Sequence, residues 1–458
     1  MCLKKYFKFF LITLIIAILI IFGFFFFENI EKKQKDIVLP TLSKEWKETI
    51  KLASGNAFRG PWRMNESIFL YLDDPTVVIA ENDEILTLWV DQEKKDIFFQ
   101  KYNWEGKKIF QEPINISGTP EIFSWLPRMK VSQDGFEIYI VWQEIIFSGG
   151  SHGGEILFVR SLDGGKTFSK PINLSNSLAG DGKGRLSQDR WSNGSLDIAL
   201  DKKNNIFIAW TSYEGDLILR RSFNKGEEFL PPEDITGSND NPARAPSLAI
   251  SNDGIIYLIW TYGEANKENI HFAKADEIKN PFILKGPAVI KNGFLDAPRI
   301  VIDKLGNLHL VFSWALERFS NQGDIYYSKL NVGEKSFSQP IKISRTTNEW
   351  RRFSYPNIVI DNNNIYVLSE LFIGQEFRSR GLGLIYWNMK EDNNFNFFVI
   401  RDDRKDNLGI NGSLQGVLSD KLAINSEGKI VIINSTFNKN NSSHIWLYRS
   451  EKISIINL

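Results

Sequence analysis

The chain contains 458 residues, and its 55 basic and 55 acidic side chains give a formal net charge of zero. A balanced charge provides no electrostatic footprint for nucleic acid, which we exclude as a partner. Cys2 is the only cysteine, so no disulfide can form within the chain, and four scattered histidines lack the spacing of a zinc site. We therefore expect neither a metal nor a cofactor.

The first 45 residues differ in composition from the rest of the chain. Residues 9–27 carry no charge and are almost entirely apolar, which makes them long enough to cross a bilayer. The lysines within residues 1–8 predict that the N-terminus is a cytoplasmic basic tail. Residues 28–45 then form a polar stalk, and residues 46–458 form an extracytoplasmic domain. We expect an uncleaved signal anchor, and hence a single-pass membrane protein.

A cleaved signal peptide, and with it a secreted protein, is the alternative interpretation of this N-terminal segment. The apolar run exceeds the usual length of a signal-peptide core, and no small-x-small cleavage site follows it. Both observations favour the anchor.

Residues 46–458 contain a repeated pattern of short apolar strands. Each repeat has a first strand in which apolar residues alternate with others, then a polar or glycine-containing turn, and then a second strand that often ends in Trp. These second strands are residues 84–89, 137–142, 205–210, 255–260, 307–312, 363–368 and 429–433. Periods of roughly 40–50 residues with several short strands are typical of a β-propeller. The chain is therefore predicted to be all-β, with four-stranded blades, and the count favours seven blades over six.

The two ends of the repeat region predict that the first strand of the domain closes the propeller. Residues 46–53 align without gaps to residues 337–344, which have the pattern of a fourth strand. No third strand precedes them, whereas the last repeat ends soon after its third strand, residues 445–448. An N-terminal strand that completes the last blade would remove both sheet edges. The alternative is that residues 453–458 supply this strand and residues 46–53 form an extra edge.

One turn, residues 161–168, contains several residue types that stabilise a tight hairpin. The side chains of Ser161 and Asp163 can accept hydrogen bonds from backbone N–H groups within the turn. Gly165 tolerates the positive φ of a tight hairpin, and Thr167 completes the polar pattern. Phe168, at the exit of the turn, can pack between neighbouring sheets.

This turn resembles the Asp-box, and its surroundings are similar to the BNR repeat β-propellers of the sialidase superfamily. Degenerate copies occur at residues 222–229 and 328–337. The resemblance implies a propeller fold with the Asp-box hairpins on its outer side. For activity, it implies the sialidase template, by which we mean the mechanism of sialidases. In that mechanism a Tyr nucleophile is activated by a Glu, three arginines bind the substrate carboxylate, and an Asp acts as acid and base.

Candidate site residues lie where a propeller presents its functional face, in the loops that enter the first strands and those that join the second and third strands. Position and residue type, read against the sialidase template, assign the substrate-binding set to Arg244, Arg299 and Arg352. The catalytic candidates, in the order nucleophile, partner and acid, are Tyr355, Glu264 and Asp189, with Asp181 as the alternative acid. The alternative reading is that each arginine pairs with neighbouring acids around a crowded central tunnel.

Two functions follow as hypotheses. The first is an extracytoplasmic, sialidase-like retaining glycoside hydrolase that binds acidic glycans and acts as an exo-α-sialidase. The second is a non-catalytic surface propeller that binds a glycan, a peptide, or a cell-surface or envelope protein through the same face. Other enzymes on this scaffold, such as lyases, remain a third class. Tyr355 and Glu264 within hydrogen-bond distance, with three arginines converging on one point near the axis, would favour the enzyme. Acids interleaved among the arginines, or an exposed aromatic patch, would favour the binding protein.

Overall fold

The computed structural model describes residues 46–146, 154–177, 180–181, 183–187, 190–193, 196–237, 241–318, 320, 322–345, 350–373, 379, 381–390, 395–400, 410–411, 419–437 and 442–450. All regular secondary structure in these ranges is β-strand, as the repeats predict. Residues 1–45 lie outside them, and so do the expected tail, anchor and stalk. Within the described ranges, no helix has the length and apolar character needed to cross a membrane. The anchor therefore stays a prediction.

Six groups of four consecutive strands, paired antiparallel in chain order, make up most of the domain. We number them blades 1 to 6 along the chain. Blades 1 to 3 are β2 (Phe69–Ile79), β3 (Ile85–Asp91), β4 (Asp96–Tyr102) and β5 (Ile114–Asn115); β6 (Ser124–Val131), β7 (Ile138–Glu144), β8 (Glu155–Ser161) and β9 (Ile172–Asn173); and β12 (Leu196–Leu200), β13 (Ile206–Thr211), β14 (Leu217–Ser222) and β15 (Glu233–Asp234). Strands β10 (Lys183–Ser187) and β11 (Arg190–Asn193) form a separate hairpin before blade 3.

Blades 4 to 6 repeat the same arrangement. Their strands are β16 (Ala243–Ile250), β17 (Ile256–Tyr262), β18 (Asn269–Ala275) and β19 (Ile283–Val289); β20 (Phe294–Ile302), β21 (Leu308–Ala315), β22 (Asp324–Leu330) and β23 (Ile341–Lys342); and β24 (Trp350–Ile360), β25 (Asn364–Ile373), β26 (Gly381–Asn388) and β27 (Asn396–Ile400). The second strand of each of these six blades begins one residue after the start of the segment that the sequence predicts for it and covers the rest of that segment.

A seventh group, blade 7, combines strands from both ends of the domain. Its strands are β29 (Leu422–Ile424), β30 (Ile430–Phe437), β31 (Ser442–Ser450) and β1 (Ile50–Arg59), and β28 (Ile410–Asn411) pairs at the edge of β30. Strand β1 pairs antiparallel with β31, with Ile50 opposite Leu447. The prediction that an N-terminal strand closes the last blade is therefore confirmed. The end of β1 also pairs with the start of β2, which joins blades 7 and 1 into one nine-stranded sheet.

The seven groups form a closed ring. Their innermost strands β2, β6, β12, β16, β20, β24 and β29 contact one another in this order, and β29 contacts β2. One hydrophobic cluster fills each of the seven interfaces between neighbouring blades. Trp142, Trp210 and Trp260, at the ends of second strands, are fully buried in these clusters. Large side chains suit this position because close packing between sheets, repeated around the ring, is the core of the domain.

Five innermost strands share a bulge at an X-Pro step. The residue before the proline has a positive φ in each case: Asp74, Leu126, Ala245, Ala297 and Tyr355. The register of the strand pair shifts at the same place. Proline has no N–H to donate to the hydrogen-bond ladder of a sheet, and within sheets it is therefore found at edges and bulges. The bulge divides each strand into a first part at the mouth of the ring and a second part along its axis.

The turn at residues 161–168 has the hydrogen bonds that its sequence predicts. The Gly165 N–H donates to Ser161 Oγ at 2.9 Å, and the Thr167 N–H and Oγ1 donate to the Asp163 carboxylate at 3.0 and 2.7 Å. Gly165 has a φ of 88°, and a Cβ there would lie 2.6 Å from the Phe99 ring. Phe168 packs edge-on against Phe99 of blade 1 at 5.3 Å. The turn therefore joins two blades, which is a structural role.

Candidate functional site

The axial channel is the first of two places where arginines and aspartates meet. It encloses about 270 Å³ and is lined by Arg299, Asp197 and Asp420, among other residues of the innermost strands. The Arg299 guanidinium lies 3.8 Å from Asp197 Oδ1 and 3.7 Å from Asp420 Oδ1. Arg128 Nη1 donates to the same Asp420 oxygen. Asp197 in turn accepts a hydrogen bond from the Leu248 N–H of blade 4 at 2.8 Å, so the cluster links several blades.

The charges of this axial cluster compensate one another. Burial acts to raise the pKa of Asp420, but Arg128, Lys130 and Arg299 hold it at about 2. Burial and the neighbouring Arg299 lower the pKa of Arg128 to about 10, although Asp420 and Asp197 act in the opposite direction. Carboxylates are therefore interleaved with the arginines at the axis, as expected for structural pairing.

The second place is a pocket between blades 5 and 6, at the face where the innermost strands begin. We call this the entry face. The pocket encloses about 190 Å³. Its lining residues come from the start of β20, the end of β21 and the loop after it, and the start of β24: Phe294, Asp296, Ser313, Trp314, Ala315, Arg318, Arg352, Ser354 and Tyr355. Among the described residues, the charged groups of the lining are thus two guanidinium groups and one carboxylate.

Tyr355 is held at the wall of the pocket by the X-Pro bulge of β24. Its N–H donates to Ser313 Oγ of blade 5 at 2.8 Å, and its ring packs beside Ala245 and Ala297 at the equivalent bulges of blades 4 and 5. Burial and the Asp296 carboxylate raise the pKa of Tyr355, whereas Arg352 and Arg318 act to lower it. The phenol therefore remains protonated at neutral pH and presents a hydroxyl to the pocket.

Arg352 lies in the same wall with its guanidinium over the Phe372 ring, at 4.0 Å from the ring centre. Burial lowers the pKa of Arg352, and Tyr355 acts to raise it. A cation that has lost part of its hydration gains more from an anionic ligand than an exposed cation does.

Arg244 contacts the pocket indirectly, through the carboxylate of Asp296. Its Nε donates to Asp296 Oδ1 at 3.1 Å, its Nη1 donates to the Gly263 carbonyl at 2.9 Å, and its Nη2 lies 3.5 Å from Glu268 Oε1. Burial raises the pKa of Glu268, and Arg244 acts against this. Asp296 is therefore shared between the pocket and a third arginine.

The structure brings some of the sequence candidates together and separates others. Arg352 and Tyr355 line one pocket, and Arg244 contacts its Asp296. Arg299 lines the axial channel instead. Glu264 lies in the half-buried loop after β17. Asp189 lies outside the described residues. The catalytic and binding roles assigned to these residues stay predictions.

Asp181, the alternative acid, is buried near blades 2 and 3. Its carboxylate accepts hydrogen bonds from Trp210 Nε1 at 2.7 Å and from the Tyr213 N–H at 3.3 Å. Burial raises the pKa of Asp181 to about 6, with a further contribution from Glu155 and opposition from the two hydrogen bonds. A carboxyl with this pKa can hold or release a proton near neutral pH. Among the described residues, no cluster of His, Cys, Asp and Glu could hold a metal ion.

Asp296 is a charged site residue that sequence reasoning missed. It lies two positions before Pro298, as Arg244 lies two positions before Pro246. Both side chains belong to the first part of a bulged innermost strand, at the entry face. An alignment of the innermost strands on their prolines, which the repeats allow, would have identified Asp296.

Comparisons with known proteins support the fold. No family model matches the chain, and none of the curated proteins matches it. Among solved structures, the polysaccharide lyase Uly1 is similar with a TM-score of 0.52 and 10% identity over 89% of this chain and 99% of that one. A protein of unknown function from Dyadobacter fermentans has a TM-score of 0.49 and 12% identity over 88% and 99% of the two chains. The endosialidase of phage phi92 has a TM-score of 0.49 and 10% identity over 90% and 70%.

At these identities, only the architecture carries over. The likeness to Uly1 extends over nearly the whole of both chains, and the closed ring of four-stranded sheets defines that architecture independently. The chain has the fold of a β-propeller.

Proposed function

We propose that the protein is a glycan-binding propeller whose pocket between blades 5 and 6 holds an acidic sugar. One observation carries the proposal. Of the residues that the structure describes, the lining contains the guanidinium groups of Arg318 and Arg352 and one carboxylate, that of Asp296, which also contacts Arg244. This lining is partly desolvated, and its described guanidinium groups outnumber its described carboxylates. Such a site favours an anionic ligand.

The other lining groups suit a sugar. A guanidinium group can bind a carboxylate through two parallel hydrogen bonds, which fixes the orientation of the ligand. The hydroxyls of Tyr355, Ser354 and Ser313 can exchange hydrogen bonds with sugar hydroxyls, and Trp314 offers an apolar surface to the ring. The pocket, at about 190 Å³, has room for about one sugar unit. The polysaccharide lyase Uly1 shares the fold, which is compatible with a carbohydrate ligand.

Membrane attachment is part of the proposal. The apolar run of residues 9–27 and the lysines before it support a single-pass anchor with the propeller outside. The glycan would then be one of the cell surface or its surroundings.

Binding tests the proposal directly. We would titrate the full chain, purified in detergent, with N-acetylneuraminic acid, galacturonic acid and neutral galactose by calorimetry. The wild-type protein should bind at least one of the two acids and not galactose. Arg352→Gln should weaken this binding by about tenfold or more, because a charge-assisted hydrogen bond is lost. Arg160→Gln is the matched control, since Arg160 bonds to backbone carbonyls near residues 224–225, away from the pocket. Failure of both acids to bind would refute the proposal.

Hydrolysis is a second candidate function, favoured by one specific observation. Tyr355, Asp296 and Arg352 share one pocket, so a phenol, a carboxylate and a carboxylate-binding cation are within one site. These are the group types of the sialidase template. A fluorogenic sialoside would be hydrolysed by the wild type and not by Tyr355→Phe, which should still bind the sugar. No turnover in folded protein that binds acidic sugar would leave the non-catalytic propeller as the function.

A further inference from the structure

A second surface on the entry face has a composition that suits sugars. Fourteen large apolar side chains are exposed in the described part of the chain, and four of them lie in residues 58–68, which run from the end of β1 to the residue before β2. They are Phe58 at 51% exposure, Trp62 at 38%, Met64 at 41% and Ile68 at 60%. This clustering in eleven residues is not expected of scattered surface side chains. We call residues 58–68 the aromatic loop.

The aromatic loop is held in place by hydrogen bonds. Asn65 Nδ2 donates to the Ile145 carbonyl at 2.9 Å, and Asn65 Oδ1 accepts from the Phe123 N–H at 3.1 Å, which ties the loop to blade 2. Within the loop, the Gly60 N–H donates to the Ile68 carbonyl at 2.9 Å. The exposed side chains are therefore presented on an ordered backbone, and little conformational entropy would be lost when a partner binds.

Trp62 is supported from below by other aromatic rings. Its ring centre lies 5.3 Å from that of Trp125, 5.9 Å from that of Phe69 and 6.2 Å from that of Phe123. Phe69 begins β2, and Trp125 lies near the start of β6, so the loop covers the entry face at blades 1 and 2. The pocket lies on the same face at blades 5 and 6, with blade 7 between them.

Two arginines give this surface its charge. Arg59 and Arg63 are exposed within the loop, against one acid, Glu66. An indole ring can stack on the C–H face of a sugar, and a nearby guanidinium can bind its carboxylate. The loop thus repeats, on an open surface, the combination of arginine and aromatic groups that lines the pocket.

We propose that the aromatic loop is a second saccharide-binding surface, and that the natural ligand is an extended acidic polysaccharide rather than a single terminal sugar. This inference rests on the proposed function. A polymer that occupies the pocket presents further units to the loop at a high effective concentration, so the two sites reinforce each other. The surface is open, as an internal segment of a polymer requires.

The test compares monomers with polymers. The full chain in detergent would be titrated with galacturonic acid and polygalacturonate, and with N-acetylneuraminic acid and polysialic acid. One polymer should bind more tightly than its monomer, per sugar unit, by about tenfold or more. Trp62→Ala should remove this gain and leave monomer binding unchanged, whereas Arg352→Gln should weaken both. Leu305→Ala, which removes an exposed apolar side chain in the turn between β20 and β21, is the matched control.

A second variant protects the test against misfolding. Arg63→Gln changes an exposed side chain of the loop and should reduce polymer binding several-fold in a protein with an unchanged melting temperature. Polymer binding that depends on Trp62 without any monomer binding would support the loop and refute the pocket. Equal binding of monomer and polymer, or polymer binding unaffected by both loop variants, would overturn the inference. Trp62-dependent binding to phosphatidylglycerol vesicles, with no effect on polysaccharide, would overturn it in favour of a lipid surface.

Discussion

The axial cluster and the pocket between blades 5 and 6 contain the same residue types in different arrangements. At the axis, Arg128 and Arg299 face Asp197 and Asp420, and the four charges compensate one another. In the pocket, two arginines share the lining with one aspartate. The first arrangement joins blades, and we propose that the second binds an anionic ligand.

Position relative to proline separates the two groups. Arg128 and Arg299 directly follow the prolines of their innermost strands, whereas Arg244 and Arg352 precede theirs. Because the bulge lies at the proline, residues after it line the axis and residues before it lie at the entry face. The position of an arginine before or after the bulge therefore determines whether it lies at the entry face or lines the axis.

The largest expected effect is the loss of compensation at the axis. Asp420→Asn should lower the free energy of unfolding by about 3–5 kcal/mol, because Arg128 and Arg299 would remain buried without their shared carboxylate. Urea unfolding followed by tryptophan fluorescence would measure the change. Lys94→Ala, which breaks the exposed ion pair with Asp91, should cost less than about 1 kcal/mol. Equal costs for the two variants would mean that the axial charges are not coupled.

The pH dependence of stability distinguishes a carboxyl beside arginines from one without them. The folded-state pKa of Asp420, about 2, is below its unfolded value. Its contribution to the free energy of unfolding is therefore lost as pH falls through about 2. The folded-state pKa of Asp181, about 6, is above its unfolded value. Its contribution is therefore complete below about pH 4 and is lost as pH rises through about 6. Asp181→Asn should remove this second step, of at most about 3 kcal/mol, from melting temperatures measured between pH 4 and 8.

Two matched arginine variants, one in each region, should differ in whether they reduce mainly stability or mainly sugar affinity. Arg299→Gln should lower the free energy of unfolding by about 1–3 kcal/mol and leave sugar affinity unchanged, because two carboxylates lose a partner at the axis. Arg352→Gln should weaken acidic-sugar binding by about tenfold and cost about 1 kcal/mol of stability, from its contact with Phe372. Chemical unfolding and calorimetry on the same samples would test both. A loss of affinity in Arg299→Gln alone would move the binding site to the axis.

The smallest effect is expected from Asp296→Asn. Removal of the carboxylate of Asp296 from the lining should tighten the binding of an acidic sugar by several-fold, about 1 kcal/mol, because repulsion is removed. Glu268 remains beside Arg244 as a partner for its charge. Calorimetry at low and high salt would show whether the gain is electrostatic. Weaker binding would instead show that Asp296 hydrogen-bonds the ligand.

The strands and their closure could be predicted from the sequence because the apolar pattern repeats seven times. The turn at residues 161–168 was also predictable, since Asp163 and Gly165 have local roles. The site was predictable only in part. Arg352 and Tyr355 share a pocket as their positions suggest, but Arg299 points to the axis. Side-chain direction there depends on a bulge that becomes visible only when the innermost strands are aligned.

The closing strand has a consequence for the order in which the domain can form. Ile50 pairs with Leu447, which is synthesised 397 positions later. Until then the first part of β1, residues 50–56, lacks the strand with which it pairs, and the ring cannot be completed on the ribosome before its last blade emerges. Bringing these ends together costs about 5 kcal/mol in loop-closure entropy, so blades that are already packed reduce the search. Completion of the ring of blades is therefore a single late event. Chains that stop short of β31 should leave β1 as an open, aggregation-prone edge.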